Sequence, residues 1–308
     1  MTATAGLAEP LKRLASATHW YHRRLARHSL PGIAVLCYHA VRENAAAPGA
    51  MPFQNLHVRT TTLEAHCRFL RTACDPISLD EWRAARDGRT PWPPRPVLVT
   101  FDDGYRSVFT QARPVLERWN IPAVVFVCTR PVARRESLWY DTMARRSGDA
   151  AVERAKATAA DQWPSLLDTF ARPIADDDPC ATMTADEIRQ LAASRLFEVG
   201  SHTCSHPILA ALAPDQQRVE IRTSVEALGS WTERPVRALA YPNGRPGLDY
   251  TSETRQIARE AGIEFAFSTE SRFADRTGDP LDVPRFMMLD DISEAELAHR
   301  LSYSWRVL

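Results

Sequence analysis

The sequence predicts an α/β domain organised around a parallel, barrel-like sheet, and three observations lead there. Short apolar runs such as Val97-Leu98-Val99 and the stretch 123–128 alternate with segments of helical periodicity, as in successive βαβ units. Two of the strand-like runs end in polar, chemistry-bearing residues, and active sites in parallel-sheet folds collect at the C-terminal ends of strands. The length of 308 residues fits one large α/β domain without a split.

The elements follow in chain order. Residues 7–30 read as a basic amphipathic helix, with Leu7, Leu11, Leu14, Tyr21 and Leu25 broadly on one side and Lys12, Arg13, Arg23, Arg24 and Arg27 beside them. Residues 31–308 are then the main domain. It opens with the apolar strand 33–41, which contains Tyr38-His39, followed by a helix over 63–70, a short strand at 76–79 and a helix over 79–86. The Pro-rich loop 90–96 delivers the chain into Val97-Leu98-Val99, and a helix over 109–119 leads to the strand 123–128. Residues 131–182 are long for a simple connection and read as an insertion with its own helices beside the cleft, carrying Trp139-Tyr140. A strand-like Phe197-Glu198-Val199-Gly200 follows.

Chemistry concentrates in two places. Thr100-Phe101-Asp102-Asp103-Gly104-Tyr105 closes one strand; alternation would send the two carboxylates to opposite faces, and Gly104 is expected to turn the chain so that both enter one cleft. Ser201-His202-Thr203-Cys204-Ser205-His206-Pro207 follows another strand, and one helical turn there would put both imidazoles on one face. Two imidazoles and one carboxylate give a divalent metal three protein ligands and leave a position for water, as in catalytic zinc sites.

At these residues the sequence resembles the polysaccharide deacetylases, carbohydrate esterases of the family 4 type built on the NodB homology domain. The resemblance runs from about Gly32 to about Met288. It implies a deformed, incomplete (β/α)7 barrel and a metal-dependent hydrolase that removes N-acetyl groups from amino sugars. By the same resemblance Asp102 is the general base, and Asp103, His202 and His206 hold the metal. Zn2+ is the expected ion, with Co2+ or Ni2+ also fitting such a donor set.

The third family motif departs from its pattern. Ala240-Tyr241-Pro242-Asn243-Gly244 has Ala240 where the family carries an Arg that orients the base, and Arg285 in Val283-Pro284-Arg285-Phe286 is the candidate replacement. The Asn243 N–H is expected to help stabilise an oxyanion. No late Leu-x2-His motif is evident, and His299 reads as a surface residue. The Tyr38-His39 strand end resembles a branch of the family in which an N-terminal His is the general acid, so His39 takes that role. Tyr105, Tyr241 and Pro242, with Trp139 and Tyr140 of the insertion, are candidate substrate-binding residues.

Composition narrows the partners. Lys+Arg and Asp+Glu are each 38, so the net charge is zero and no whole-chain field favours nucleic acid. The six cysteines have no C-x2-C spacing and read as reduced thiols. Residues 1–30 lack the apolar core of a secretory signal, and no apolar run reaches a membrane-spanning length of about 18 residues. A cytoplasmic enzyme is expected, peripheral at the inner face of the membrane if residues 1–30 contact lipid. That location favours a glycan precursor, a lipid-linked sugar or another glycoconjugate over a mature wall polymer. A small non-sugar amide as substrate, or a weakly active carbohydrate-binding protein on the same fold, are the alternatives. Oligomeric state is not legible.

Overall fold

The computed structural model describes residues 8–43, 52–158 and 161–303. Its strands are β1 (Ala34–Tyr38), β2 (Ala40–Arg42), β3 (His57–Arg59), β4 (Asp75–Pro76), β5 (Pro96–Phe101), β6 (Ala123–Val127), β7 (Phe197–Ser201), β8 (Ala238–Ala240), β9 (Phe265–Phe267) and β10 (Phe286–Met287). The main sheet runs β10-β1-β5-β6-β7-β8-β9, with β4 also on β5, and every pairing in it is parallel. This is the curled, incomplete barrel with helices outside that the sequence predicted. β2 and β3 form a separate parallel pair, so the predicted strand 33–41 is broken at His39.

The segment leading into β10 bridges the open seam. Val283 pairs with Phe267 at the end of β9, and three residues later Phe286 pairs with Leu36 of β1. One short stretch thus touches both edge strands, and Arg285 lies within it.

Side-chain alternation sorts the sheet into two faces. Ile33, Val35, Leu98, Val124, Phe126, Ala238, Ala240, Phe267 and Val283 pack together in the barrel interior. Ala34, Leu36, Val97, Val99, Phe101, Ala123 and Val125 pack with the surrounding helices. Continuing each inward parity upward gives His39 after β1, Asp102 after β5 and His202 after β7, with Arg285 two residues beyond Val283. Register places them at one level: Tyr38 pairs with Phe101 and Val127 with Ser201.

Gly200 shows how tightly the interior is filled. A Cβ there would lie 2.5 Å from the Phe126 ring, and that ring is pinned against Phe267 at a centroid distance of 5.2 Å. Gly200→Ala will therefore overpack the barrel and cost about 1–3 kcal/mol, measurable by chemical denaturation; an unchanged midpoint would show that the ring can move aside.

The N-terminal segment corrects the single-helix expectation. It forms two helices, Glu9–Ala17 and Trp20–Arg27, because Thr18 Oγ1 donates back to Leu14 O at 3.0 Å and His19 takes a left-handed conformation with φ 55°. The predicted stripe is split. Tyr21 and Leu25 are buried, whereas Leu11 and Leu14 face solvent; Leu7 lies outside the described residues. The hairpin docks on the helix Glu294–Ser302 through Lys12 and Glu296, Ser16 and Glu294, and Tyr21 Oη and His299 Nδ1 at 3.2 Å. His299, expected at the surface, is half-buried as the partner of Tyr21.

Four helices, Thr129–Arg134, Trp139–Ser147, Asp149–Ala155 and Trp163–Phe170, occupy the region of the predicted insertion. They form a satellite core that includes Trp139, Tyr140, Met143, Val152, Trp163 and Leu167, closed by Tyr105 from the barrel. Among the described residues no helix is long and apolar enough to cross a membrane.

Candidate active site

Asp102 leaves the end of β5 pointing into the barrel and meets Arg285 coming from the seam. The guanidinium grips the carboxylate with two bonds, Nη1 to Oδ1 and Nη2 to Oδ2, each 2.7 Å. It is itself fixed by Nε donating to Ser268 O at 2.9 Å and Nη1 donating to Thr100 Oγ1 at 3.2 Å. Arg285 is fully buried, so this is a desolvated pair whose guanidinium makes two further bonds besides those to the carboxylate, the condition under which such a pair is tolerated. Ala240 points into the same interior without reaching the carboxylate, and the cation arrives from the other side of the seam. Burial alone would push the Asp102 carboxyl up; Arg285 and His202 outweigh it and hold the pKa below the usual carboxylate value.

Asp103 enters the same cleft by a different route from the one expected. Asp103 itself is left-handed, with φ 74°, and Gly104 follows with φ 79°. The turn therefore begins on the second carboxylate, a strained conformation of the kind held at functional sites. Gly104 is needed both for its φ and because a Cβ there would lie 3.0 Å from Val127 Cγ1.

His202 and His206 converge on Asp103: Oδ1 is 3.4 Å from His202 Nε2 and 3.7 Å from His206 Nε2. His202 Nδ1 lies 2.8 Å from Ala240 O. A carbonyl only accepts, so Nδ1 carries a proton, and this bond directs Nε2 towards Asp103. Burial opposes charge on His202, yet Asp102 and Asp103 raise its pKa. His206, buried and beside His202, has its pKa lowered to about 3. One carboxylate oxygen and two imidazole nitrogens thus lie within 4.8 Å of one another, and a divalent cation fits that donor set.

The histidines are not on a helical turn, which corrects the sequence expectation. The loop between them has two left-handed residues, Thr203 with φ 66° and His206 with φ 60°, and is braced from outside. Glu220, on the helix Pro214–Thr232, accepts from Cys204 N at 3.0 Å, Ser205 N at 2.8 Å and Ser205 Oγ at 2.6 Å. Two indoles from the insertion add Trp163 Nε1 to Ser205 Oγ at 3.1 Å and Trp139 Nε1 to His206 O at 3.2 Å. Sequence reasoning missed Glu220, because a lone acid on a polar helix carries no motif. Glu220→Gln will weaken divalent-metal binding about 10–100-fold, measured by chelator competition; unaltered affinity would reduce the brace to a folding role.

His39 follows β1 on the inward parity, and a ring nitrogen of His39, Cys37 Sγ and an Asp102 oxygen lie within 4.8 Å of one another. That second cluster is a poor metal site, since both Asp102 oxygens are already engaged by Arg285 and the Cys37 thiol is held protonated by burial. His39 Nδ1 is buried without a partner among the described residues. Asn243 is left-handed, with φ 56°; its carbonyl accepts from Thr269 Oγ1 at 2.5 Å, and its N–H meets no acceptor among the described residues.

These groups share a cavity of about 200 Å3 lined by His39, Asp102, Asp103, His202, His206 and Asn243, with Phe53, Trp139, Tyr140, Ile208 and Met287 as apolar wall. A larger cavity of about 510 Å3 opens around Arg83, Glu198 and Arg237. None of the catalytic or metal-type donors reaches it, and Arg83 there is taken up by Glu198, Asp80 and Glu264.

The candidate substrate-binding residues are redistributed. Trp139 and Tyr140 line the cavity but are buried in the insertion core, so they form a wall and present no open stacking platform. Tyr105 is buried behind it, its hydroxyl donating to Asp141 Oδ2 at 2.9 Å; burial pushes that carboxyl well above its usual range. Tyr241, one residue past the inward-facing Ala240, points outward, stacks on Tyr250 at 3.9 Å and donates to Leu281 O at 3.0 Å. Neither Tyr241 nor Pro242 lines the cavity.

The chain is 31% identical over 176 residues to the poly-β-1,6-N-acetyl-D-glucosamine N-deacetylase of Escherichia coli (strain K12), a match covering 56% of this chain and 20% of that protein. The chain thus spans about a fifth of that relative's length. Among solved structures, IcaB from Ammonifex degensii superposes with a TM-score of 0.63 at 24% identity, covering 88% of this chain and 97% of that one. The Streptococcus pyogenes deacetylase PplD, solved with acetate, gives a TM-score of 0.63 at 20% identity, covering 87% and 97%. Both show the same fold. The family model described as polysaccharide deacetylase matches residues 89–266, more than half of the chain and the stretch that holds Asp102, Asp103, His202 and His206, and this chain therefore belongs to the polysaccharide deacetylase family.

Proposed function

We propose that this chain is a metal-dependent N-deacetylase that removes acetyl groups from an N-acetylated amino sugar in a glycan, glycan precursor or glycoconjugate. The observation that carries the reading is the convergence of the Asp103, His202 and His206 acceptors beside an Arg-held Asp102 and an unpartnered His39. The E. coli relative, named for an N-acetylglucosamine polymer, supports the sugar.

Amide hydrolysis needs an activated water, stabilisation of a tetrahedral oxyanion and a proton for the departing amine. Asp103, His202 and His206 would hold the divalent ion, Zn2+ first among the candidates, which when bound acidifies water and polarises the acyl oxygen. Asp102, kept ionised by Arg285, takes the proton from the attacking water. The N–H of Asn243, without an acceptor among the described residues, donates to the acyl oxygen as it becomes negative. His39 gives the amine its proton.

An ester leaves more readily than an amide, so the acid matters less for it. His39→Ala will lower amide cleavage about 10²–10⁴-fold while cleavage of an activated acetyl ester falls far less; equal losses would remove His39 from the acid role. The reading as a whole is tested by acetate release from N-acetylglucosamine oligomers and from a nucleotide-linked N-acetyl sugar, using metal-reconstituted protein. No release from either at full metal occupancy would overturn the sugar deacetylase in favour of a non-sugar amide.

A further inference from the structure

Residues 8–30 hold five cations, Lys12, Arg13, Arg23, Arg24 and Arg27, against the single acid Glu9, in a chain whose net charge is zero as a whole. Their helical hairpin buries Tyr21 and Leu25 but leaves Leu11 51%, Leu14 60% and Trp20 52% exposed, with Tyr303 beside Trp20 at 42%. Among the described residues six large hydrophobic side chains are exposed, and these are four of them. Trp20 Nε1 donates to Tyr303 Oη at 3.2 Å, and Arg24 sits 4.4 Å over the Tyr303 ring, which joins the hairpin and the C-terminal helix into one surface.

The cations divide by partner. Lys12 is paired with Glu296 and Arg13 with Glu9; Arg23 and Arg27 are exposed and meet no acid among the described residues. An isologous contact with a second copy would set this patch against itself and bring those arginines towards their own kind. An exposed Leu and Trp face bordered by unpaired Arg instead matches an anionic bilayer, where the apolar side chains enter the headgroup boundary and the cations meet lipid phosphates. We infer that the face formed by Leu11, Leu14, Trp20, Arg23 and Arg27 docks the protein on the surface of an anionic phospholipid membrane. This surface is separate from the catalytic reading and stands or falls without it.

Cosedimentation of the full chain with phosphatidylcholine vesicles, with and without phosphatidylglycerol, tests it. Binding is expected only with the anionic lipid, falling as salt rises. Arg23→Gln and Arg27→Gln should each weaken it about fivefold, and Leu14→Glu with Trp20→Glu should abolish it. The arginine variants change exposed side chains only, and their unaltered circular dichroism and metal binding will show that they fold. Absence of anionic-vesicle binding, equal binding to neutral vesicles, or indifference to the arginine changes would each overturn the inference. Concentration-dependent self-association lost in Leu14→Glu would overturn it too, by giving the face to a second copy.

Discussion

Asp103→Asn will leave the protein without a stoichiometric divalent metal, whereas Asp102→Asn will keep the metal and lose about 10²–10⁴-fold in acetate release. The two residues are adjacent, yet the left-handed turn at Asp103 gives them separate partners. Asp103 faces His202 and His206; Asp102 spends both oxygens on Arg285. An amide at 103 turns an anionic ligand into a neutral one in a site built from three donors. An amide at 102 can still accept from Arg285 but cannot take a proton. Metal content after reconstitution and dialysis, set beside kcat, reads both outcomes. Metal lost from the Asp102 variant and kept by the Asp103 variant would reverse the assignment.

Arg285→Met will cost about 3–5 kcal/mol at neutral pH, because it leaves a buried carboxylate without its counter-charge. The pH dependence has a definite sign. In the native protein Asp102 is held below its unfolded pKa, so its contribution to stability is present above the ordinary carboxylate range and is lost as pH falls through the folded value. Without the guanidinium, burial dominates and the Asp102 pKa rises. The variant is then weakest at neutral and alkaline pH and regains ground relative to the native protein on acidification. The acid limb of its rate profile also moves to higher pH, since Asp102 must be ionised to act as base. Denaturation midpoints across pH and a pH–rate profile test the two halves; an unmoved acid limb would detach Arg285 from the base.

Much of this site was legible in the sequence because strand alternation is a strict rule. Asp102 follows Leu98 and Thr100 on the inward parity, and His202 follows Gly200. The same rule, applied to Ala240, would have turned Tyr241 away from the site, where the structure indeed stacks it on Tyr250. Other features had no local signal. The left-handed Asp103, Thr203 and His206 are imposed by tertiary bonds, and Glu220 finds the histidine loop only after its helix has packed. The break at His19 was equally hidden, since the apolar spacing continues across it. The packing of Tyr21 and Leu25 against the body, with Leu11 and Leu14 turned out, depends on a partner helix almost three hundred residues away in sequence.

The cation that grips Asp102, the base of the proposed mechanism, is carried by the segment that bridges the last gap in the barrel, with β9 on one side and β1 on the other. The contact that sets the charge of Asp102 is therefore made only where the two edges of the sheet meet. On the proposed reading of Asp102 as base, a substitution that shifts this seam segment would reach the base through Arg285 without touching any other residue of the cleft.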